Sequence, residues 1–190
     1  MGSSPNLPHP VGEASFSMML RPVGIIRSQI KEPFLAAQDS GIKMQGHFDA
    51  VRKHIHEMRQ QISEIVINKD LLDILDGIDQ YSHVVVLYWA HKVPEQSRSL
   101  TKVRPMGRDE FPLVGIFCTC SPARPNPVLM SIVRLCGRQE NVLQVMGLDA
   151  IDGSPVIDIK PYVKNLYPQE EVLTPDWMQQ IRKEIDGDNR

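Results

Sequence analysis

The sequence predicts a mainly β fold, a single antiparallel β-barrel of short strands with a few peripheral helices. Two observations carry this. β-Branched and aromatic runs recur as SEIVI (63–67), VVVLYW (84–89), SIVRLCG (131–137), VLQVMGLDA (142–150) and PVIDIKPYV (155–163). The strands are short, numerous and joined mostly by turns, QEN (139–141) and DGS (152–154) among them, which favours a closed antiparallel barrel over a doubly wound sheet. At 190 residues, with 42% hydrophobic and 23% charged residues, the chain is long enough for one cored domain.

Residues 1–18, rich in Pro, Gly and Ser, read as a flexible leader, residues 19–165 as the barrel domain, and 166–190 as a C-terminal extension with a helix. The first strand lies in LRPVGIIRSQI, on Val23, Ile25 and Ile26, and KEPFLAAQDSG (31–41) reads as a loop punctuated by Pro, Asp, Ser and Gly. Phe48, Val51, Ile55 and Met58 recur at helical spacing and predict a short amphipathic helix. Asn68 is placed to cap a helix over KDLLDILD, with Gly77 just past its end. VVVLYW is apolar on alternate and intervening positions alike, so it predicts a strand buried on both faces. PLVGIFCT (112–119) predicts a further strand, joined to SIVRLCG by the proline loop SPARPNP, whose prolines forbid helix and central strand. Thr174 and Pro175 predict the start of a last helix with Trp177, Met178, Ile181 and Ile185 as its buried face.

A net charge of −2 argues against a wholly basic nucleic-acid wrapper, and no apolar run approaches a membrane span. Phosphate-loop, dinucleotide and nucleophile-elbow motifs are absent. Cys118, Cys120 and Cys136 read as reduced core thiols of a cytoplasmic protein; without a CxxC pair no metal site is expected. A Cys120–His83 or Cys120–His91 nucleophile is the other arrangement these residues permit. Polar residues gather elsewhere: Arg124 and Asn126 in the proline loop, Asp149 and Asp152 beside a turn, and Asp158, Lys160 and Tyr162 on one side of a strand. Singly, each suits a surface ion pair or a turn. Together they suit a polar ligand bearing both charges. RSLTKVRPMGR (98–108), with Arg104 and Arg108, holds four cations and no anion; it suits phosphate contacts and a solvated loop equally.

SPARPNP, GLDAIDGSPVIDIKPYV, YSHVVVLYWAH and VGIIRS, in that family's order over about residues 19 to 165, resemble the TsaA-like or TrmO family. The resemblance implies a single-barrel, S-adenosylmethionine-dependent methyltransferase. It would be a homodimer acting on the exocyclic nitrogen of threonylcarbamoyladenosine in tRNA. It places the methyl-donor site on Gln38, Asp39, His91, Lys92, Cys120, Arg124, Asn126, Met130, Asp149 and Asp152, with Asp149 or His91 as a base. Lys160, Tyr162, Arg104 and Arg108 are then the candidates for the acceptor. Two positions depart from the family. Its TRSP is Thr119-Cys120-Ser121-Pro122 here, and its IGLS is Val128-Leu129-Met130-Ser131. These departures leave two alternatives open, a small-molecule acceptor and a module that binds the donor without turnover.

Overall fold

The computed structural model describes residues 18–33, 35–38, 41–44 and 48–187; the expected leader lies outside these residues apart from Met18. Six strands close a barrel: β1 (Gly24–Arg27), β4 (Ile62–Ile67), β5 (His83–Trp89), β8 (Val128–Gln139), β9 (Val142–Met146) and β10 (Pro155–Pro161). Their order is β1-β10-β5-β8-β9-β4, with β4 returning to β1, and every neighbouring pair is antiparallel. Closure removes the exposed sheet edge that strands this short would otherwise present.

Alternation along the strands fills the interior. Ile26, Ile65, Ile67, Val84, Val86, Tyr88, Val133, Leu143, Val145 and Val156 form one buried cluster, with Leu75 at one end and Leu148 and Ala150 at the other. Each such aliphatic side chain contributes about 1.5–3 kcal/mol of burial. Val85, on the outer side of β5, is also buried, so this strand is covered on both faces as its composition predicts. Gly24 allows β1 to close against β4, since a Cβ there would lie 2.4 Å from the Val66 carbonyl oxygen.

Several elements differ from the sequence expectation. KEPFLAAQDSG is not all loop: β2 (Leu35–Gln38) pairs antiparallel with β3 (Gly41–Met44), and Gly41, expected as a breaker, opens the second strand. PLVGIFCT supplies only β7 (Val114–Gly115), paired with β6 (Lys102–Val103) outside the barrel. A 3-10 turn, Ile116–Cys118, follows, because the Thr119 hydroxyl bonds back to the Ile116 carbonyl at 2.9 Å and coils the chain. The cysteines expected in the core are all exposed.

KDLLDILD is a kinked 3-10 segment, and Asn68 does not cap it; its amide donates to the Pro22 carbonyl instead. Gly77 does adopt the left-handed conformation, with φ 82°. Helix α1 (Phe48–Gln60) forms as predicted and buries Val51 and Met58. Helix α2 (Asp176–Asp186) begins one residue later than expected. Pro175 takes the capping position with an extended backbone, and none of the predicted apolar face is fully buried.

Candidate functional site

At one end of the barrel β1, β5 and β9 finish and β4, β8 and β10 begin. The loops there converge: residues 28–33, 90–101, 119–127 and 147–154. The turn between β9 and β10 is the organiser. Gly147 (φ 82°) and Gly153 (φ 81°) turn the chain where a Cβ would be strained. Between them the loop is stitched onto the end of β1. The Asp152 N–H donates to the Ile30 carbonyl (2.7 Å), the Gly153 N–H to the Ile26 carbonyl (2.9 Å), and the Ser28 hydroxyl to the Ala150 carbonyl (2.8 Å).

Asp152 acts as a clamp. One carboxylate oxygen accepts the Ser28 N–H at 3.0 Å and the other meets Lys31 Nζ at 2.8 Å. The Lys31 hydrogen bond first, then the Ser28 N–H, hold its pKa below the usual carboxylate range. Lys92 continues the stitching, donating to the Lys31 carbonyl at 2.5 Å and to Glu32 at 2.7 Å.

Asp149 differs. Its surface is open to solvent, yet protein surrounds it densely enough that burial raises its pKa, with His54 of α1 pulling the other way. From inside the barrel the Tyr88 hydroxyl donates to the Asp149 backbone carbonyl and meets Ser131 Oγ at 3.3 Å. His91 lies across the same turn. Its Nδ1 is 3.2 Å from Ser154 Oγ, and that hydroxyl donates to the Ile151 carbonyl at 2.7 Å. The imidazole therefore donates from Nδ1 and keeps its Nε2 lone pair as an acceptor. Burial and then the Lys92 charge lower its pKa, so it is neutral at physiological pH.

The proline loop reaches this end through the Ala90 N–H, which donates to the Pro127 carbonyl at 2.8 Å. Arg124 does not extend toward open space. Its guanidinium donates to the Thr119 and Ser121 carbonyls on either side of Cys120, so it shapes the loop that the prolines stiffen. Asn126 is exposed, and its carbonyl accepts the Val128 N–H at 2.7 Å. Leu129 faces the barrel core rather than a pocket wall, while Met130 points outward.

The structure thus brings together His91, Lys92, Cys120, Arg124, Asn126, Met130, Asp149 and Asp152 at one barrel end. Gln38 closes β2, and Asp39 lies outside the described residues. Lys160 and Tyr162 run down the outer face from there. The register places Asp158, Leu87 and Met130 in one cross-strand row and Lys160, Val85 and Ile132 in the next, about 7 Å along the strands. Lys160 pairs with Asp158 at 2.6 Å, and Tyr162 stacks on Tyr167 at 4.7 Å near the far end. Arg104 and Arg108 are engaged within the protein. Arg104 donates to the Phe111 carbonyl at 2.6 Å, and Arg108 pairs with Glu110 and Glu184.

Tyr88, Ser28, Lys31 and Ser154 hold this end of the barrel together through contacts that spacing alone did not expose. Tyr88 reads as one more apolar residue of VVVLYW, and only the cross-strand register shows its hydroxyl reaching the turn. Ser28 closes the VGIIRS motif, which is the signal that was there to find.

Residues 46–166 match the family described as the tRNA-methyltransferase O N-terminal domain. A "Probable S-adenosyl-L-methionine-binding protein" of Methanothermobacter thermautotrophicus is 39% identical over 155 residues, covering 80% of this chain and 96% of that protein. The tRNA (adenine(37)-N6)-methyltransferase of Escherichia coli is 30% identical over 151 residues, covering 77% of this chain and 58% of the enzyme. A crystal structure of TrmO from Pseudomonas aeruginosa shares the fold with a TM-score of 0.60 at 26% identity, over 85% of this chain and 62% of that one.

A closed six-stranded barrel with a stitched, acidic turn at its mouth is the class that fold and site define. The chain belongs to the tRNA-methyltransferase O family. It spans nearly all of the archaeal relative and about three fifths of the bacterial enzyme and structure.

Proposed function

We propose that this protein is an S-adenosylmethionine-dependent methyltransferase that methylates the exocyclic nitrogen of an adenosine in tRNA, threonylcarbamoyladenosine being the acceptor. The observation that carries the reading is Asp149 at the barrel mouth: its backbone carbonyl accepts the Tyr88 hydroxyl from the barrel interior, and burial raises the pKa of its carboxyl. The residues fit the donor. A carboxylate at the barrel mouth suits a cationic or hydroxyl-bearing ligand, neutral His91 offers an acceptor nitrogen on the same turn, and Gly153 leaves room before that nitrogen. When bound, S-adenosylmethionine supplies a methyl group on a positively charged sulfur, open to in-line displacement.

The protein's part is positioning and proton removal. A carboxylate with a raised pKa is a better base than an ordinary aspartate, so Asp149 is placed to take the proton of the acceptor nitrogen. Asp152, tied to Lys31 and Ser28, fixes the turn and has its charge already compensated. Lys160 and Tyr162 lie along the outer face leading away from Met130, where an acceptor extends.

The reading extends to a homodimer in the cytoplasm, where tRNA is found. Met130 and Ile132, 58% and 43% exposed on the outer side of β8, supply an apolar strip for a second copy. Light scattering on the wild type and on Ile132→Arg tests this; a monomeric wild type sinks it. Among the described residues no helix is long and apolar enough to cross a membrane.

The test of the activity is transfer of labelled methyl from S-adenosylmethionine to tRNA that carries threonylcarbamoyladenosine. Incorporation lost in Asp149→Ala supports the reading. No incorporation into any tRNA, with donor binding intact, overturns it. The inward direction of Leu129 removes one of the two reasons for a small-molecule acceptor, since that side chain packs on the core.

A further inference from the structure

We propose that α2 covers a phosphate-binding surface: its Glu184 and Asp186 occupy the guanidiniums of Arg108 and Arg59, which take the phosphodiester backbone of an RNA once the helix lifts. The proposal rests on the RNA reading above for the identity of the polyanion alone.

The covered surface is a stripe. Phe48, Arg52, His56 and Arg59 recur on one side of α1, about 100° round the helix from the buried Val51 and Met58. Each meets α2 or a partner of it. Arg59 Nη1 pairs with Asp186 at 2.8 Å, and His56 Nε2 lies 2.8 Å from the Ile185 carbonyl. Arg52 and Phe48 line a hollow of about 340 Å³ together with Gln180, Lys183, Glu184 and Gly187. Arg108 joins the stripe from the segment before β7. It donates through both terminal nitrogens to Glu184, with Nε on Glu110 at 2.6 Å, and its guanidinium carbon lies 4.6 Å from the Phe111 ring centre and 5.4 Å from that of Phe48.

What lies on this stripe is the anionic end of a helix: two carboxylates and the Ile185 carbonyl that meets His56, where the helix dipole adds partial negative charge. Carboxylate held by two guanidinium nitrogens is the geometry in which arginine also holds phosphate, so one site serves either anion.

The cover is lightly attached. No α2 residue is fully buried, and the helix lacks a side-chain cap. The Arg59–Asp186 pair is exposed, so ions in solution screen it. The segment that matches the family ends at residue 166, before α2 begins. The four-cation loop singled out in the sequence therefore does meet an anion, and that anion belongs to the same chain.

The test uses the full chain with Glu184→Gln and Asp186→Asn together, binding an unmodified tRNA transcript in fluorescence anisotropy across a salt series. The double variant should bind about 10-fold tighter near 0.1 M salt. Its slope of log affinity against log salt should steepen by about 1.5, from two more phosphate contacts. Glu170→Gln with Glu171→Gln removes the same charge from exposed positions before the helix and should change binding far less. Adding Arg59→Ala and Arg108→Ala to the first variant should erase its gain. In the wild type, amide exchange over residues 176–186 should quicken when the transcript binds. Equal gains in both charge-removing variants, a gain that survives loss of the two arginines, or exchange that slows on binding would each overturn the proposal. Methyl transfer is read separately: binding that behaves as expected without transfer defeats the proposed activity and leaves this surface standing.

Discussion

The hydroxyl of Tyr88, rooted in the barrel core, donates to the backbone carbonyl of Asp149 at the mouth. It links core and mouth, because the same ring packs among Val84, Val86 and Val133 while its polar tip fixes the turn between β9 and β10. Burial and then the Asp149 charge push the phenol above its ordinary pKa, so it stays a donor throughout the physiological range. Tyr88→Phe keeps the packing and removes the donor. Leaving that carbonyl without its partner should cost about 1–3 kcal/mol, or roughly 2–12 °C in melting temperature. Donor affinity should fall with it, by several-fold in calorimetric titration. A variant that melts and binds like the wild type would show the contact to be incidental.

Asp149 itself should trade stability for function. Burial raises its folded-state pKa above the unfolded value, so the native protein holds that proton more tightly. Stability from this group is greatest below the unfolded value and declines as pH rises toward the folded one. At neutral pH the ionised carboxylate is therefore a cost. Asp149→Asn should melt higher than wild type at pH 7, match it at pH 3, and lose about 100-fold or more in methyl transfer. A variant less stable than wild type at pH 7 would contradict the raised pKa.

The barrel was legible because its strands are short, rich in β-branched residues and separated by turns, and each signal is local. VVVLYW and PVIDIKPYV fall where expected, with the hairpin between β8 and β9 turning at QEN. PLVGIFCT misled because apolar content does not say whether a pairing strand exists; a single serine-like back-bond from Thr119 was enough to coil it. In the site, the acidic turn and His91 could be read from motifs, because turns are written in adjacent residues. The role of Tyr88 could not, since it depends on which residues 61 positions apart face each other. The ion pair that Arg108 makes is illegible for the same reason, its partner Glu184 lying 76 positions away on a helix that sequence reads only as amphipathic.

Asp152 should show the opposite pH behaviour to Asp149. The Lys31 hydrogen bond, and then the Ser28 N–H, depress its pKa below the unfolded value. The stability it contributes is present above that unfolded value, about 3.9, and is lost as pH falls through the folded one. Asp152→Asn should lower the urea midpoint at pH 7, with the difference from wild type shrinking below about pH 4. Lys31→Met should reproduce most of the effect, and the double variant should add little to either. A difference that persists unchanged at pH 2 would assign the loss to something other than charge.

Gly24 tests closure of the barrel. Its missing Cβ would stand 2.4 Å from the Val66 carbonyl oxygen and 3.0 Å from the Ile67 Cα, both backbone atoms that cannot rotate away. Gly24→Ala should therefore part β1 from β4 and destabilise by about 3 kcal/mol in equilibrium unfolding. A loss within about 0.5 kcal/mol, the range of ordinary surface changes, would mean the strands yield easily.

Cys120 stands at one of the two positions where the resemblance expects another residue, and its surroundings predict what an arginine there does. The residue is exposed, outside any strand or helix, so a longer side chain meets no packed core. The carbonyls on either side of it are already taken by Arg124, so an arginine at 120 cannot fold back onto them and must project outward. Cys120→Arg should then leave the melting temperature of the free protein within about 2 °C. Donor binding should tighten about 5-fold through one added charge-assisted contact at an exposed site, equivalent to about 1 kcal/mol. Methyl transfer to tRNA by both forms would place the residue among those that tune affinity. Transfer by the arginine form alone would show that the cysteine has redirected the natural protein to another acceptor, and the tRNA assignment would fall.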